Sequence, residues 1–379
     1  MLRGSAWVFS GAVASCRGEG EPGETADVLS HDGQWLGRGL WDPEGDMRVR
    51  ILTRDEGEAI DGALFRRRVS AAMALRRPWF ADVRTTAWRA FFSEADGLSG
   101  VIGDLYGGRL VLQLGARAWA RHLPELAAAF AAEPEVEDVQ AVAELDARKR
   151  EVWPDLPEAF TAAGGPVRVL ENGFSFEVTP GAGQKTGFFL DQRENRKAVA
   201  RYAAGRDVLS AYCYTGGFEV YAAAAGAKSV TGWDSSADAL AAARRNQALN
   251  PVPVEVAYEE ADVPRRLRLA RDRGERWDLI VLDPPRLVTG RGNLERGLRA
   301  YKDINLLAMK LLRPGGILAT FSCSGLVDGE SFRTMVGWAA HDAKRRVLVL
   351  ERLGQPADHP VPVDMPECEY LKGLICAVS

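Results

Sequence analysis

Two stretches of this chain place a reactive side chain directly behind an apolar run. WDLIVLDPPR (277–286) ends in the carboxylate of Asp283, and GILATFSCSG (316–325) ends in the thiol of Cys323. Both runs have the length and composition of buried strands. Pro284 and Pro285 fix φ and remove two amide donors, so the ladder stops and Asp283 stands at the mouth of the sheet. Prolines that merely end a strand would account for the turn but not for the acid. Cys323 lies past its apolar run between Ser322 and Ser324, with Gly325 following, where a thiol can be exposed and its acidity raised. A packing cysteine would sit inside the run. A thiol and a carboxyl at one sheet edge can perform covalent catalysis, with sulfur as nucleophile and the acid as hydrogen-bonding partner for developing charge.

Three more positions could bind rather than react. In YCYTGGF (212–218), Gly216 and Gly217 let the backbone approach a ligand ahead of a helix N-terminus, beside Tyr214 and Thr215. A tight turn needs the same glycines, and the spacing is not GxGxxG. Asp234 closes the next apolar run, where a carboxylate can accept both hydroxyls of a ribose; the alternative is a helix cap, which Ser235 or Ser236 could supply equally well. Asp262 follows the third run and suits an adenine amino group or, equally, the positive end of a helix dipole.

These residues need a scaffold that brings strand ends together. From Gly205 onward, short apolar strands (DVLSAY, SVTGWD, VEVAYEE, WDLIVLD, GILATFS, RRVLVLERL, LKGLICAV) occur with helices predicted around 217–225, 236–249, 262–273 and 293–312. This alternation predicts an α/β fold with a doubly wound, mostly parallel sheet of seven strands and an antiparallel strand near the C-terminus. Ligands in such sheets bind outside the carboxyl ends of the strands, where all the residues above fall. Residues 1–68 are short β-like runs that read as a small barrel, 69–180 as a middle α+β domain, and 181–379 as the sheet domain. A helix predicted over 65–80 carries Arg66, Arg67, Arg68, Arg76 and Arg77, a candidate basic patch or a solvated face.

The 379 residues exceed one ordinary domain of ~150 residues. A formal charge of -4 gives no global nucleic-acid signal, so any RNA contact has to be local. The five cysteines (Cys16, Cys213, Cys323, Cys368, Cys376) form no CxxC pair, which fits free thiols in a reducing compartment; Cys213 and Cys376 read as packing residues. The four histidines show no HxxxH spacing, and no metal site is expected. MLRGSAWVFSGAVASC loosely imitates a lipoprotein signal, but Ser10 and Gly11 interrupt its apolar segment, so a cytoplasmic location is expected, without membrane contact.

Taken together, GQKTGFFLDQRENR (183–196), YCYTGGF, DPPR, YKDINLLA (301–308), FSCSG and ADHPV with YLKG (357–373) resemble the S-adenosylmethionine-dependent methyltransferases, in particular the bacterial family that methylates C5 of a cytosine in large-subunit (23S) ribosomal RNA. WVFSGAV is similar to that family's N-terminal PUA domain, an RNA-binding barrel, and the likeness covers nearly the whole chain. It implies S-adenosylmethionine as cofactor, 23S ribosomal RNA or a large-subunit precursor as partner, and a possible homodimer. It implies that Cys323 adds to C6 of the base and that Asp283 hydrogen-bonds the pyrimidine beside the cofactor. Asp234 would take the ribose and Asp262 the adenine, with Tyr214, Thr215 and Gly216 near the methionine portion. Phe188, Phe189, Asp191 and Arg193 would form a further cofactor wall, Asp191 and Arg193 being the pair to touch ligand. Apart from the resemblance, Arg66, Arg67, Arg68, Arg76 and Arg77 are candidates for RNA-backbone contacts, with a solvated helix face as the equal alternative. The chain departs from the family in beginning close to WVFSGAV and in carrying Arg286 where lysine is commoner after DPP. DPPR also occurs in uracil-C5 RNA methyltransferases. Uracil-C5 methylation, methylation of an exocyclic amino group, and a non-catalytic RNA-binding assembly factor therefore remain alternatives.

Overall fold

The apolar runs that follow Gly205 assemble into one sheet in the computed structural model, which describes residues 5–144, 153–161, 164–180 and 188–379. The GQKTG part of the first quoted motif (183–187) lies outside the described residues. The chain divides into two compact units, one of Met1–Gly173, Val178–Leu190 and Ala357–Cys368, the other of Phe174–Glu177, Asp191–Pro356 and Glu369–Ser379.

Strands of the first unit are β1 (Trp7–Phe9), β2 (Thr25–Leu29), β3 (Trp35–Trp41) and β4 (Met47–Thr53), an antiparallel sheet in the order β1-β4-β3-β2. Helix α1 (Gly62–Phe80) follows, then β5 (Ala87–Phe92), β6 (Val101–Tyr106), β7 (Arg109–Leu114), α2 (Leu123–Ala131) and β8 (Asp138–Ala143), forming a second sheet in the order β5-β6-β7-β8. Helix α1 starts three residues before the predicted Phe65 because Asp61 caps it, accepting from the amides of Ala63 and Leu64 at 2.9 and 3.0 Å. The boundary expected after residue 68 therefore falls inside a helix. Leu64, Phe65, Val69, Ala72 and Met73 bury its apolar face in a core shared with Trp119 and Phe130.

The helix does not present five arginines to solvent. Arg76 is 0% exposed; it forks onto Asp96 at 2.8 and 3.1 Å and donates through Nε to the Asp358 carbonyl at 3.1 Å. It cannot reach an RNA backbone, and that part of the expected patch is corrected: Arg76 lies on the buried face of the helix with Ala72, whose carbonyl it also bonds at 3.0 Å, and serves as the cation for Asp96. Arg77 is held between Glu133 and Glu135, and Arg68 is half-buried, donating to the Gly97 carbonyl. Arg67 is exposed and paired with Glu58, and Arg66 is exposed with no side-chain ion pair or hydrogen bond among the described residues.

The second unit is the doubly wound sheet expected. Strand β9 (Val167–Glu171) still belongs to the first unit; β10 (Phe174–Val178), which falls in the second but for its last residue, and helix α3 (Arg193–Ala200) precede β11 (Asp207–Ala211), α4 (Gly217–Ala224), β12 (Ser229–Asp234), α5 (Ala237–Ala248), β13 (Val256–Glu260) and α6 (Val263–Asp272). Then come β14 (Trp277–Leu282), α7 (Leu294–Leu311), β15 (Leu312–Ser322), α8 (Gly329–Ala343), β16 (Val347–Gly354) and β17 (Lys372–Val378). The strand order is β13-β12-β11-β14-β15-β17-β16, with β17 antiparallel to both neighbours. Helices cover both faces, which explains why the central strands read as continuous apolar runs. Leu209, Ile280, Leu282 and Leu318 enter one core with α6, α7 and α8; Val208, Leu279, Val281, Ala319 and Phe321 enter the other with α3 and α4.

One carboxyl sits inside this core. Glu219, in the first turn of α4, is 0% exposed, and burial pushes it up to about 7 against the opposing pull of the Ser210 hydroxyl. An unfolded glutamate titrates near 4.5, so the stability held by the protonated form is fully present in acid and is lost as pH rises through about 7.

Two unfolding measurements follow. Arg76→Ala leaves Asp96 buried without its cation and should cost about 3–5 kcal/mol in denaturant unfolding; a variant as stable as the parent would contradict the structural role. Glu219→Gln should be more stable than the parent by roughly 1–3 kcal/mol near pH 8, with the advantage shrinking toward pH 5. Parallel stability–pH curves for the two proteins would refute it.

Candidate active site

Strand register decides which side chains meet at the carboxyl edge of the second unit. Strands β14 and β15 are parallel neighbours with Leu282 beside Thr320, so Asp283, one residue on, and Cys323, three residues on, leave the same edge side by side. The loops behind them are tied together. The Ser324 hydroxyl lies 3.0 Å from the Tyr301 hydroxyl of α7 and accepts from the Val288 amide at 3.2 Å, so the turn after Asp283 and the turn around Cys323 share one buried anchor. Asp283 is half-buried, and its Oδ1 accepts from Gln192 Nε2 at 2.9 Å. Gln192 is held in turn by Asn195, whose Nδ2 donates to Gln192 Oε1 at 2.6 Å and to the Gly354 carbonyl at 3.1 Å. This relay fixes the carboxylate's orientation.

Cys323 is half-buried at the strand end. Cys213 and Cys376 are buried, as packing residues would be; burial pushes the Cys213 thiol far above its ordinary value and the Cys376 thiol up to about 12. Beside Cys323, Lys372 opens β17 opposite Ser322 and is 6% exposed. Its Nζ donates to the carbonyls of Ser324 and Tyr370 at 2.8 and 2.9 Å. Burial pushes the ammonium down to about 8, opposed by its neighbours Cys323, Glu369 and Asp328.

On the other side of β14, the loop from β11 to α4 is wound tightly. Tyr212 and Tyr214 adopt φ of 68° and 47°, and Gly216 adopts 84°. Left-handed backbone at two tyrosines is strained and is kept only where the surroundings enforce it. Here Tyr212 and Cys213 amides both donate to the Trp233 carbonyl, at 2.8 and 3.0 Å. A Cβ on Gly216 would lie 2.8 Å from the Tyr258 hydroxyl and 3.0 Å from Ala243 Cβ, so the loop can close this far only with glycine. Asp234, half-buried, accepts from the Tyr214 amide at 2.9 Å and from the Ser236 amide at 3.0 Å, which couples the ends of β11 and β12. The helix cap is Ser236, accepting from Ala239 at 3.2 Å, so Asp234 is not spent on that task. Asp262 does cap α6, accepting from the Arg265 amide at 2.9 Å, and it is exposed. Thr215 is positioned through its carbonyl, which accepts from Asn246 at 2.9 Å.

Asp191 and Arg193 open this unit's first helical turn and are 5% and 4% exposed. Asp191 Oδ2 accepts from the Tyr370 hydroxyl at 2.7 Å, linking the FFLDQ and YLKG motifs. The site's less obvious members, Gln192, Tyr370 and Lys372, all lie inside quoted motifs, which was the available signal; Glu219 carried none, looking like an ordinary acid in a helix's first turn. The donor set suits S-adenosylmethionine: a half-buried carboxylate beside a strained glycine-closed loop for the ribose and methionine parts, and an exposed acid past the third strand for the adenine. Among the described residues no His, Cys, Asp and Glu cluster is arranged to hold a metal, and no helix is long and apolar enough to cross a membrane.

Comparisons with known proteins agree with this geometry. Residues 159–375 match the family model of S-adenosylmethionine-dependent methyltransferases, and residues 1–54 match a PUA-like domain. A protein of Shewanella denitrificans named ribosomal RNA large subunit methyltransferase I is 44% identical over 98% of this chain and 95% of its own length. A protein of the same name from Pseudoalteromonas atlantica is 41% identical over 100% of this chain and 96% of its own. Among solved structures, a methyltransferase complexed with S-adenosylhomocysteine superposes with a TM-score of 0.84 over 99% of this chain and 96% of its own, at 21% identity, a likeness of fold. The chain belongs to the S-adenosylmethionine-dependent methyltransferase family, with a PUA-like domain at its N-terminus.

Proposed function

We propose that this enzyme methylates C5 of a cytosine in large-subunit (23S) ribosomal RNA, with Cys323 as covalent nucleophile. The observation that carries the reading is the pairing of a half-buried thiol with an oriented carboxylate on adjacent parallel strands. The names of the curated relatives support ribosomal RNA as the substrate. C5 of a pyrimidine is too electron-poor to take a methyl group unaided. Cys323 adds through sulfur to C6, which makes C5 an enamine-like carbon. Bound S-adenosylmethionine supplies the electrophilic methyl group. Asp283, oriented by Gln192, hydrogen-bonds the base at N3 and the 4-amino group and stabilises the adduct. After loss of the C5 proton the S–C6 electron pair returns to sulfur. Asp234 is the ribose partner and Asp262 the adenine partner, with Tyr214, Thr215 and Gly216 along the methionine part, and Asp191 and Arg193 supporting that wall. Arg66 and Arg67 are the helix arginines available to RNA phosphates, since both are exposed. The base must be unstacked or presented in incompletely assembled RNA, because its C6 is shielded in a duplex.

Methyl transfer from labelled S-adenosylmethionine into unmodified large-subunit RNA, followed by nucleoside analysis, tests this. The parent should yield 5-methylcytidine, and Cys323→Ala should lose on the order of 10³-fold or more in rate while still binding cofactor. An N-methylated base, 5-methyluridine, or full turnover by the variant would overturn the reading.

A further inference from the structure

A buried lysine that faces backbone carbonyls rather than a carboxylate needs an explanation. Lys372 is 6% exposed, and desolvating an ammonium is costly unless the charge is paired and hydrogen-bonded. Two of its three donors are committed, to the carbonyls of Ser324 and Tyr370. Those bonds fix the side chain against the strand end that carries Cys323: Lys372 pairs across the ladder with Ser322, and its Nζ is bonded to the carbonyl of Ser324, so it brackets the thiol from both flanking residues. The acids in the neighbourhood are Asp328, which caps α8 by accepting from the Ser331 amide at 2.7 Å, and Glu369; Tyr301 approaches from α7, its hydroxyl engaged with Ser324. Among the described residues the hydrogen bonds of Nζ go to the carbonyls of Ser324 and Tyr370 and to none of these three side chains.

We propose that Lys372 is a positioning residue for the nucleophile, holding its positive charge beside Cys323 so that the thiolate is the resting form. The inference rests on Cys323 being the nucleophile. Thiol and amine share one proton, which resides on nitrogen when sulfur attacks. The S–C6 bond then forms with the ammonium facing it; on elimination the S–C6 pair returns to sulfur as thiolate beside the same ammonium, and the C5 proton leaves to a different base. Burial of the ammonium, which pushes it down to about 8, is consistent with a pair that exchanges a proton near neutrality.

The test is the pH dependence of iodoacetamide alkylation at Cys323, followed by peptide mass spectrometry on the full-length protein. The parent's midpoint should lie at least about one unit below the ~8.5 of a free cysteine. Lys372→Gln keeps amide donors for the two carbonyls but removes the charge; it should raise the midpoint by one unit or more and slow alkylation about tenfold near pH 7. Lys372→Arg should restore the parent's profile. A parent midpoint at or above ~8.5, or a Lys372→Gln profile that does not move, overturns the proposal, and the parent measurement decides alone if the variant does not fold. Alkylation reads the thiol and not the methylation. An unshifted profile with normal methyl transfer thus counts against Lys372 alone, whereas a Lys372-dependent midpoint in an enzyme whose Cys323→Ala variant still turns over counts against the nucleophile.

Discussion

The parallel pairing of β14 with β15 is the constraint on which the rest of the site depends. Because Leu282 and Thr320 are register partners on directly paired strands, the ladder itself brings the carboxylate of Asp283 and the thiol of Cys323 out at one sheet edge. Each strand is buried on both faces, so a slip in register would expose Leu279, Ile280 or Leu318 and is opposed by the whole core. The Ser324, Tyr301 and Val288 contacts then make the two turns one rigid body. A reacting group positioned this way costs little ordering at the moment of reaction.

Buried charge is the second theme, and it serves different ends in the two units. Arg76 with Asp96, and Arg89 with Asp104 at 2.8 Å, lock elements of the first unit together through partners that leave neither charge unpaired. In the second unit, Lys372 and Glu219 are ionisable groups kept in low dielectric without a direct salt bridge, and both are displaced toward neutrality, to about 8 and about 7. Shifts of that size, at the carboxyl edge of the sheet beside Cys323 and behind the Gly216 loop, are more characteristic of functional sites than of structural ion pairs.

The sheet was legible because doubly covered strands are continuous apolar runs, and the residues just past those runs are the edge where ligands bind. Asp283 and Cys323 were readable for that reason. The start of α1 was misplaced because Asp61, its cap, lies in a stretch of small and polar residues without an apolar period. The arginines of α1 could not be sorted from sequence, since the acids that occupy Arg76 and Arg77 come from positions 96, 133 and 135. Gln192 and Lys372 lie inside recognisable motifs, but their roles could not be assigned for the same reason: their partners, Asp283 and the carbonyl of Ser324, are brought in by other strands. Glu219 looks in sequence like an acid favoured by a helix N-terminus, and only the fold shows that this turn is inside the core.

The central claim is a covalent bond between Cys323 and C6 of a cytosine, and it is tested most directly by trapping that bond. RNA carrying 5-fluorocytidine has no C5 proton to lose, so the adduct, once methylated, cannot eliminate the thiol. The account predicts a protein–RNA species that survives denaturation, requires S-adenosylmethionine, and maps to a peptide containing Cys323. If the same RNA gives no denaturation-resistant complex while ordinary RNA is methylated under identical conditions, the thiol does not attack the base and the mechanism is wrong.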